Sequence, residues 1–176
     1  MNKPLLLSIF FGLLINVNSQ EEPRNLKEAM DASKASWLIG QWETKNANGD
    51  NNQKQYKWGI EDSVILVHSK TVREYHGVIG FESGKVVGKY FGINVVANTE
   101  WSGVSNGKLI EIVKMHGLNN EGESMEFNYG RVINQVDGNT FNMMIHQLTE
   151  TGELGEVMKN RETGEPFKVQ TWKRKK

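Results

Sequence analysis

Hydrophobic and polar residues alternate along most of the chain, from Gly40 almost to the C-terminus. This period of two indicates strands with one buried face, because successive side chains of a strand point to opposite sides of a sheet. The alternating segments are also rich in β-branched and aromatic residues, which favour strands. They predict about ten strands, at residues 40–45, 53–60, 63–72, 77–82, 86–93, 96–103, 108–116, 124–134, 140–148 and 167–173.

Short turn sequences join most of these segments, among them Asn48-Gly49 and Asp137-Gly138. Such pairs adopt the positive φ angles of tight hairpins, so successive strands should be antiparallel neighbours. A flat sheet of this size would leave two open edges and an apolar face in water, whereas closure removes both. We therefore expect an all-β, antiparallel up-and-down β-barrel of about 8–10 strands. A two-sheet sandwich is the alternative, although its crossings usually need longer connections.

A short helix is predicted before the strands. Asn25 is a suitable N-cap and Glu28 stands three residues later, as in a capping box. Apolar positions then recur at intervals of three and four, which places them on one face that can pack against an end of the barrel. These positions are Leu26, Ala29, Met30, Ser33 and Trp37, and the helix should end near Gly40.

The N-terminus has the features of an export signal. Lys3 precedes an apolar run at 5–15, and Val17-Asn18-Ser19 offers a cleavage site before Gln20. The run is short for a bilayer span, so a membrane anchor is the less favoured alternative. The domain prediction is therefore a signal peptide at 1–19, an N-terminal segment with the helix at 20–39 and the barrel at 40–176. A periplasmic or secreted protein follows, with no stable membrane insertion after cleavage.

The amino-acid composition excludes several classes of functional site. The chain has 21 basic and 21 acidic residues and no cysteine. Disulfides, thiol nucleophiles and thiolate metal sites are therefore excluded. The balanced charge gives no general attraction to nucleic acid, and the basic run at 173–176 has no interleaved aromatic residues, so a nucleic-acid partner is not expected.

The segment Trp37-Leu38-Ile39-Gly40-Gln41-Trp42 leads from a helix into Gly-x-Trp on the first strand. It resembles the opening of lipocalins and other calycins, including exported bacterial proteins with a lipocalin-like domain. The resemblance implies that Trp42 plugs the closed end of the barrel and that Arg174 stacks on it. It also implies a cavity for a small, largely apolar molecule.

The alternation suggests which residues line that cavity. Tyr56 and Trp58 share one face of their strand, and Phe127, Tyr129 and Arg131 share a face of another. Arg131 either meets a ligand carboxylate or extends to water. The predicted ligand-binding residues are Tyr56, Trp58, Phe127, Tyr129, Arg131, Met143 and His146. The expected function is non-catalytic binding of a small hydrophobic or amphipathic molecule, with no cofactor and no metal.

Two other functions remain open at this stage. A barrel enzyme, an isomerase or hydrolase of small molecules, would use Glu100, His146 or Arg131 and needs at least two of them in one cavity. A haem binder would use His146, provided that it faces inward. Gly103-x-Ser105-x-Gly107 matches a nucleophile elbow, but a strand follows it where that motif needs a helix, so hairpin chemistry explains it better.

The long connection at 149–166 has two readings. Loops of this length without secondary structure are uncommon unless they have a function, so it is either a lid over a cavity or a short extra hairpin at 156–161.

Overall fold

The computed structural model describes residues 22–176 except 47, 48, 61, 72, 106, 107, 120 and 162, and at 102–105 it describes the backbone alone. The predicted signal peptide lies outside these residues. The helix α1 is followed by a 3-10 turn and by strands numbered in chain order. These elements are α1 (Leu26–Ala32), the 3-10 turn (Ser36–Leu38), β1 (Gly40–Lys45), β2 (Asn51–Ile60), β3 (Val64–Lys70), β4 (Glu74–Glu82), β5 (Lys85–Gly92), β6 (Val95–Ser105), β7 (Lys108–Leu118), β8 (Ser124–Asp137), β9 (Thr140–Leu148), β10 (Leu154–Val157) and β11 (Gln170–Arg174).

The strands close into a barrel. From β1 to β9 each strand pairs antiparallel with the next, β9 pairs with β11, and β11 returns to β1. The closing contacts join Phe141 to Trp172 and Trp42 to Arg174 in register. The molecule is therefore an all-β, antiparallel up-and-down barrel of ten strands, and its continuous ring rules out the two-sheet sandwich.

Tight turns between successive strands allow each strand to pair antiparallel with the next. Ser83 and Gly84 have φ angles of 50° and 80° between β4 and β5, as a hairpin twisted to match its strands requires. Asn94, with φ 58°, serves the same purpose between β5 and β6. The predicted turn residues Asn48, Asn106 and Gly107 lie outside the described residues.

The helix is shorter than predicted. The Asn25 side chain accepts a hydrogen bond from the Glu28 N–H at 2.9 Å, as expected of an N-cap. The Glu28 carboxylate reaches one residue further back than a capping box requires and accepts the Arg24 N–H at 2.9 Å. α1 ends at Ala32 because Lys34 takes a positive φ of 53°, and a 3-10 turn covers the remaining distance to β1. None of the helices in the described residues is both long enough and apolar enough to cross a bilayer.

Aromatic rings fill the end of the barrel beside α1. The Trp42 and Phe141 ring centroids lie 4.8 Å apart, and Trp172 stacks on Phe141 at 5.9 Å. Leu26 and Met30 of α1 are fully buried in the same core cluster. This end is therefore closed by packed side chains.

Arg174 holds the chain together at this closed end. Its guanidinium lies 4.3 Å from the Trp42 ring centroid and donates hydrogen bonds to the carbonyl oxygens of Ile39 and Trp37 at 2.9 and 2.8 Å. Gly40 is needed here, because it has φ 144° and a Cβ at this position would lie 2.1 Å from the Arg174 guanidinium. The Gly-x-Trp pattern is thus explained by the approach of Arg174.

The long connection contains a short strand, β10, and an isolated bridge, in place of the predicted hairpin at 156–161. β10 pairs with the end of β9, which is opposite to the end of β9 that β11 occupies, and Lys159 forms a bridge to Pro166. The Phe167 N–H donates to the Met158 carbonyl at 2.8 Å instead of to β9. For this reason the last strand begins at Gln170, three residues later than predicted.

Candidate functional site

A cavity of about 330 Å³ lies in the half of the barrel away from α1. Its volume is at the small end of the range of ligand pockets. Trp172 separates it from the packed closed end, and Asn46 and Thr71, which directly follow β1 and β3, lie at the opposite end. Apolar side chains make up much of its wall: Val67, Ala97, Val113, Met115, Met143 and Ile145.

A buried ion pair crosses one wall of the cavity. Glu111 on β7 and Arg131 on β8 are cross-strand neighbours, and Arg131 Nη2 lies 2.9 Å from Glu111 Oε2. Burial would lower the pKa of Arg131, but the Glu111 carboxylate and the nearby phenols offset this and raise the pKa above its ordinary value. The two opposite charges cancel, so the pair as a whole contributes no net charge to the cavity.

Lys54 on β2 is a second buried cation, only 6% exposed. Its Nζ lies 3.5 Å from Met143 Sδ and 4.9 Å from the Trp172 ring centroid. Among the described residues, no carboxylate oxygen lies within the 4.0 Å of Lys54 Nζ that an ion pair requires. Burial, together with the nearby Arg131 cation, lowers the pKa of Lys54 to about 7.

Phenol groups surround these charges. Tyr56, Tyr75, Tyr90 and Tyr129 all line the cavity. Burial raises the pKa of Tyr56, Tyr90 and Tyr129, so these three stay neutral hydrogen-bond donors over the physiological pH range. The Tyr90 hydroxyl donates to Glu111 Oε1 at 3.4 Å.

Two residues of the cavity wall carry buried N–H groups without an acceptor. Within the described part of the chain, Arg131 Nε and Trp172 Nε1 have no hydrogen-bond partner. Both N–H groups are fully buried, so neither is exposed to the space inside the cavity.

Four of the residues predicted from the sequence line this cavity: Tyr56, Tyr129, Arg131 and Met143. Trp58 does not line it, because its side chain is half-buried and packs against the core cluster. The alternation along β2 placed Trp58 on the inner face, but it lies nearer the closed end.

Phe127 lies beside a second, shallower depression of about 720 Å³ rather than in the cavity. Met158 and Phe167 of the long connection form another part of its wall, and the Arg161 guanidinium lies 5.9 Å from the Phe127 ring centroid. The connection therefore covers the side of the barrel next to β8.

His146 does not face the cavity. It lies on the opposite face of β9 from Met143 and Ile145, and its Nδ1 is 3.0 Å from the Gly155 carbonyl oxygen on β10. A haem bound inside the barrel needs a ligand on the inner face of the strands. His146 lies on the outer face of β9, so it does not meet this condition.

The enzyme hypothesis required at least two of Glu100, His146 and Arg131 to lie in one cavity, and the structure does not meet this condition. Glu100 is on the outer face, where it pairs with Lys85 at 2.7 Å, and His146 is also outside. Only Arg131 of the three proposed groups lines the cavity.

Two histidines form an exposed cluster on the outside of the barrel. His68 and His76 are cross-strand neighbours whose rings stack at 4.6 Å, and His68 Nε2 lies 2.6 Å from Glu74 Oε1. The candidate ligand atoms of these three residues lie within 4.8 Å of one another. All three side chains are substantially exposed, and the His68–Glu74 hydrogen bond together with the stacking of the two rings accounts for their proximity.

Sequence reasoning missed Lys54 and Glu111. The alternating pattern places both side chains on the inner face of the barrel. Lys54 is two residues from Tyr56 and Glu111 is two residues from Val113, so each has the same parity (odd or even position) as an inward residue. A lysine or glutamate at an inward position usually extends its charged group to water, so the alternation alone does not predict that these two side chains are buried.

The closed, antiparallel barrel is compatible with a calycin-like fold. Comparison with known proteins found no family model that matches the chain and no curated protein that matches it significantly.

Proposed function

We propose that this protein is an exported, lipocalin-like barrel that binds a small hydrophobic or amphipathic molecule in its cavity, without catalysing a reaction. The observation that carries the proposal is the cavity of about 330 Å³, whose wall combines apolar side chains with a few buried polar groups. Ligand pockets typically have this composition, because apolar contact gives affinity and a few fixed polar groups give orientation.

The size of the cavity bears on the kind of ligand. Burying roughly 200 Å² of apolar ligand surface contributes about 5 kcal/mol, from which the cost of association is subtracted. Micromolar affinity needs about 8 kcal/mol net. Apolar contact alone is therefore insufficient, and the buried polar groups favour an amphipathic ligand over a hydrocarbon.

The closed end supports the lipocalin-like part of the proposal. The helix, Gly40, Trp42 and Arg174 have the arrangement that the resemblance implies, with Arg174 stacked on Trp42. Export to the periplasm or the medium remains a prediction from residues 1–19.

A neutral fluorescent probe tests the proposed binding. 1-Naphthylamine should bind the protein with increased fluorescence, and Val113→Phe should abolish binding by filling the cavity. Val78→Phe is the matched control, because Val78 is 43% exposed on the outside of the barrel. Circular dichroism confirms that both variants fold. A wild-type protein that binds no probe, or a folded Val113→Phe variant that binds as well as wild type, would contradict the proposal.

A further inference from the structure

The charges in the cavity are unbalanced. Arg131 and Glu111 neutralise one another at 2.9 Å, whereas Lys54 has no carboxylate partner among the described residues. When Lys54 is protonated, the cavity carries one net positive charge.

The local environment of Lys54 replaces only part of its lost hydration. Its two contacts are the Met143 thioether, a weak acceptor, and the Trp172 ring, whose attraction for a cation is worth about 0.5–2 kcal/mol. A surface lysine extends its amine to water, but Lys54 is only 6% exposed. An ammonium group buried in this way is costly unless an anion accompanies it.

Arg131 differs from Lys54, because its charge already has a partner. Its Nη2 binds Glu111, while its Nε is buried without an acceptor. The Glu111 carboxylate already accepts from both Arg131 and Tyr90. Lys54 is therefore the cation of this cavity that lacks a carboxylate partner among the described residues, whereas Arg131 already has one.

We propose that the ligand is an amphipathic monocarboxylic acid, whose carboxylate pairs with Lys54 Nζ while its apolar part lies against Val67, Val113 and Ile145. This inference rests on the proposed function, because it names the chemical class of the molecule that the cavity binds. A single carboxylate matches the single net charge, whereas a dianion would leave one negative charge buried without a partner.

The volume limits the rest of the molecule. At about 30 Å³ per water, the cavity of 330 Å³ has room for roughly ten waters, or roughly ten to fifteen non-hydrogen atoms of a ligand. This range includes a medium-chain aliphatic acid and a fused-ring aromatic acid, and it excludes a long-chain lipid.

Binding should depend on pH through Lys54. The other titratable groups around it are Glu111, Arg131 and the cavity tyrosines. Arg131 stays charged and the phenols of Tyr56, Tyr90 and Tyr129 stay neutral, because their pKa values are raised. The pKa of Lys54 is lowered to about 7, so the empty protein loses this proton above neutral pH. A bound carboxylate stabilises the protonated form, and acid binding should therefore take up a proton near and above pH 7.

Calorimetric titration with decanoate, 2-naphthoate and the neutral decan-1-ol tests this inference. At pH 6, at least one of the two acids should bind the wild-type protein at least tenfold more tightly than decan-1-ol. Lys54→Met should weaken acid binding at least tenfold relative to the binding of decan-1-ol by the same variant. Lys57→Met is the matched control, because Lys57 is exposed on the same strand, and it should bind as wild type does.

A measurement on the unaltered protein makes the test independent of any variant. Titrations at pH 8 in buffers of different ionisation enthalpy should show proton uptake on acid binding. Acid binding that is unaffected by Lys54→Met, or that takes up no proton, would overturn the inference while neutral-probe binding leaves the proposed function intact. Failure of all probes, neutral and acidic, would instead remove the proposed function itself.

Discussion

The two ends of the barrel bury their side chains in different ways. Near α1, the rings of Trp42, Phe141 and Trp172 pack against one another and leave no large space. At the other end, the same strands surround a cavity of about 330 Å³ and bury Lys54 and an ion pair within it. The packed end supplies stability. At the open end, the side chains around the cavity make fewer contacts and Lys54 loses its hydration. Such a loss of stability is typical of functional sites.

The largest effect is expected at the packed end. Trp42→Ala should lower the free energy of unfolding by about 3–5 kcal/mol, because it removes a fully buried ring and its hydrogen bond to the Leu38 carbonyl. Tyr129→Ala at the open end should cost less than half as much, since Tyr129 borders empty space. Urea denaturation measures both. Equal losses would contradict the contrast between the two ends.

Lys54→Met should stabilise the empty protein by several kcal/mol at pH 6. The folded-state pKa of Lys54 is lowered from 10.5 to about 7, so its charge destabilises the fold fully below pH 7. Between pH 7 and 10.5 the unfolded chain binds more protons, so wild type should gain stability and approach the variant. Denaturation at pH 6, 8 and 10 checks this trend, and a difference that does not change with pH would refute the assigned cause.

Glu111→Gln should destabilise the protein by about 3 kcal/mol, because it leaves the Arg131 charge buried without its partner. The double variant Glu111→Gln with Arg131→Met should recover most of this loss, since it removes the uncompensated charge. The measurement is again chemical denaturation. A single variant as stable as wild type would show that the pair is solvated rather than buried.

Arg174→Lys should have the smallest effect, a loss of about 1 kcal/mol. Lysine keeps the charge but not the planar group that lies over Trp42 and donates to two carbonyl oxygens. Lys173→Arg, at an exposed neighbouring position, is the control and should be neutral. Thermal unfolding of the two variants compares them, and equal midpoints would contradict the bracing role of Arg174.

The barrel was predictable from the sequence because the alternation is a local pattern. The limits of β1 and β9 agree with the predicted ranges, and the N-cap at Asn25 was visible from its neighbours. Strand pairing is not local, so the sequence alone did not indicate that Glu111 lies beside Arg131 or that His68 lies beside His76.

The site was only partly predictable for a related reason. The face that a residue occupies follows from its parity, which correctly grouped Tyr56 and Met143 with inward residues. Parity does not say how far along the barrel a side chain lies, so Trp58 and Phe127 were assigned to a cavity that they do not line. His146 was named for its chemistry, although its parity matched the outer face.

Methyl NMR of the methionines is the most direct measurement of the central claim, that the open end of the barrel is a binding site. Met115 and Met143 line the cavity, whereas Met30 is fully buried at the packed end. Titration with 1-naphthylamine should shift the methyl signals of Met115 and Met143 and leave Met30 unchanged. A titration that shifts neither cavity methionine, or that shifts all three equally, would contradict the account.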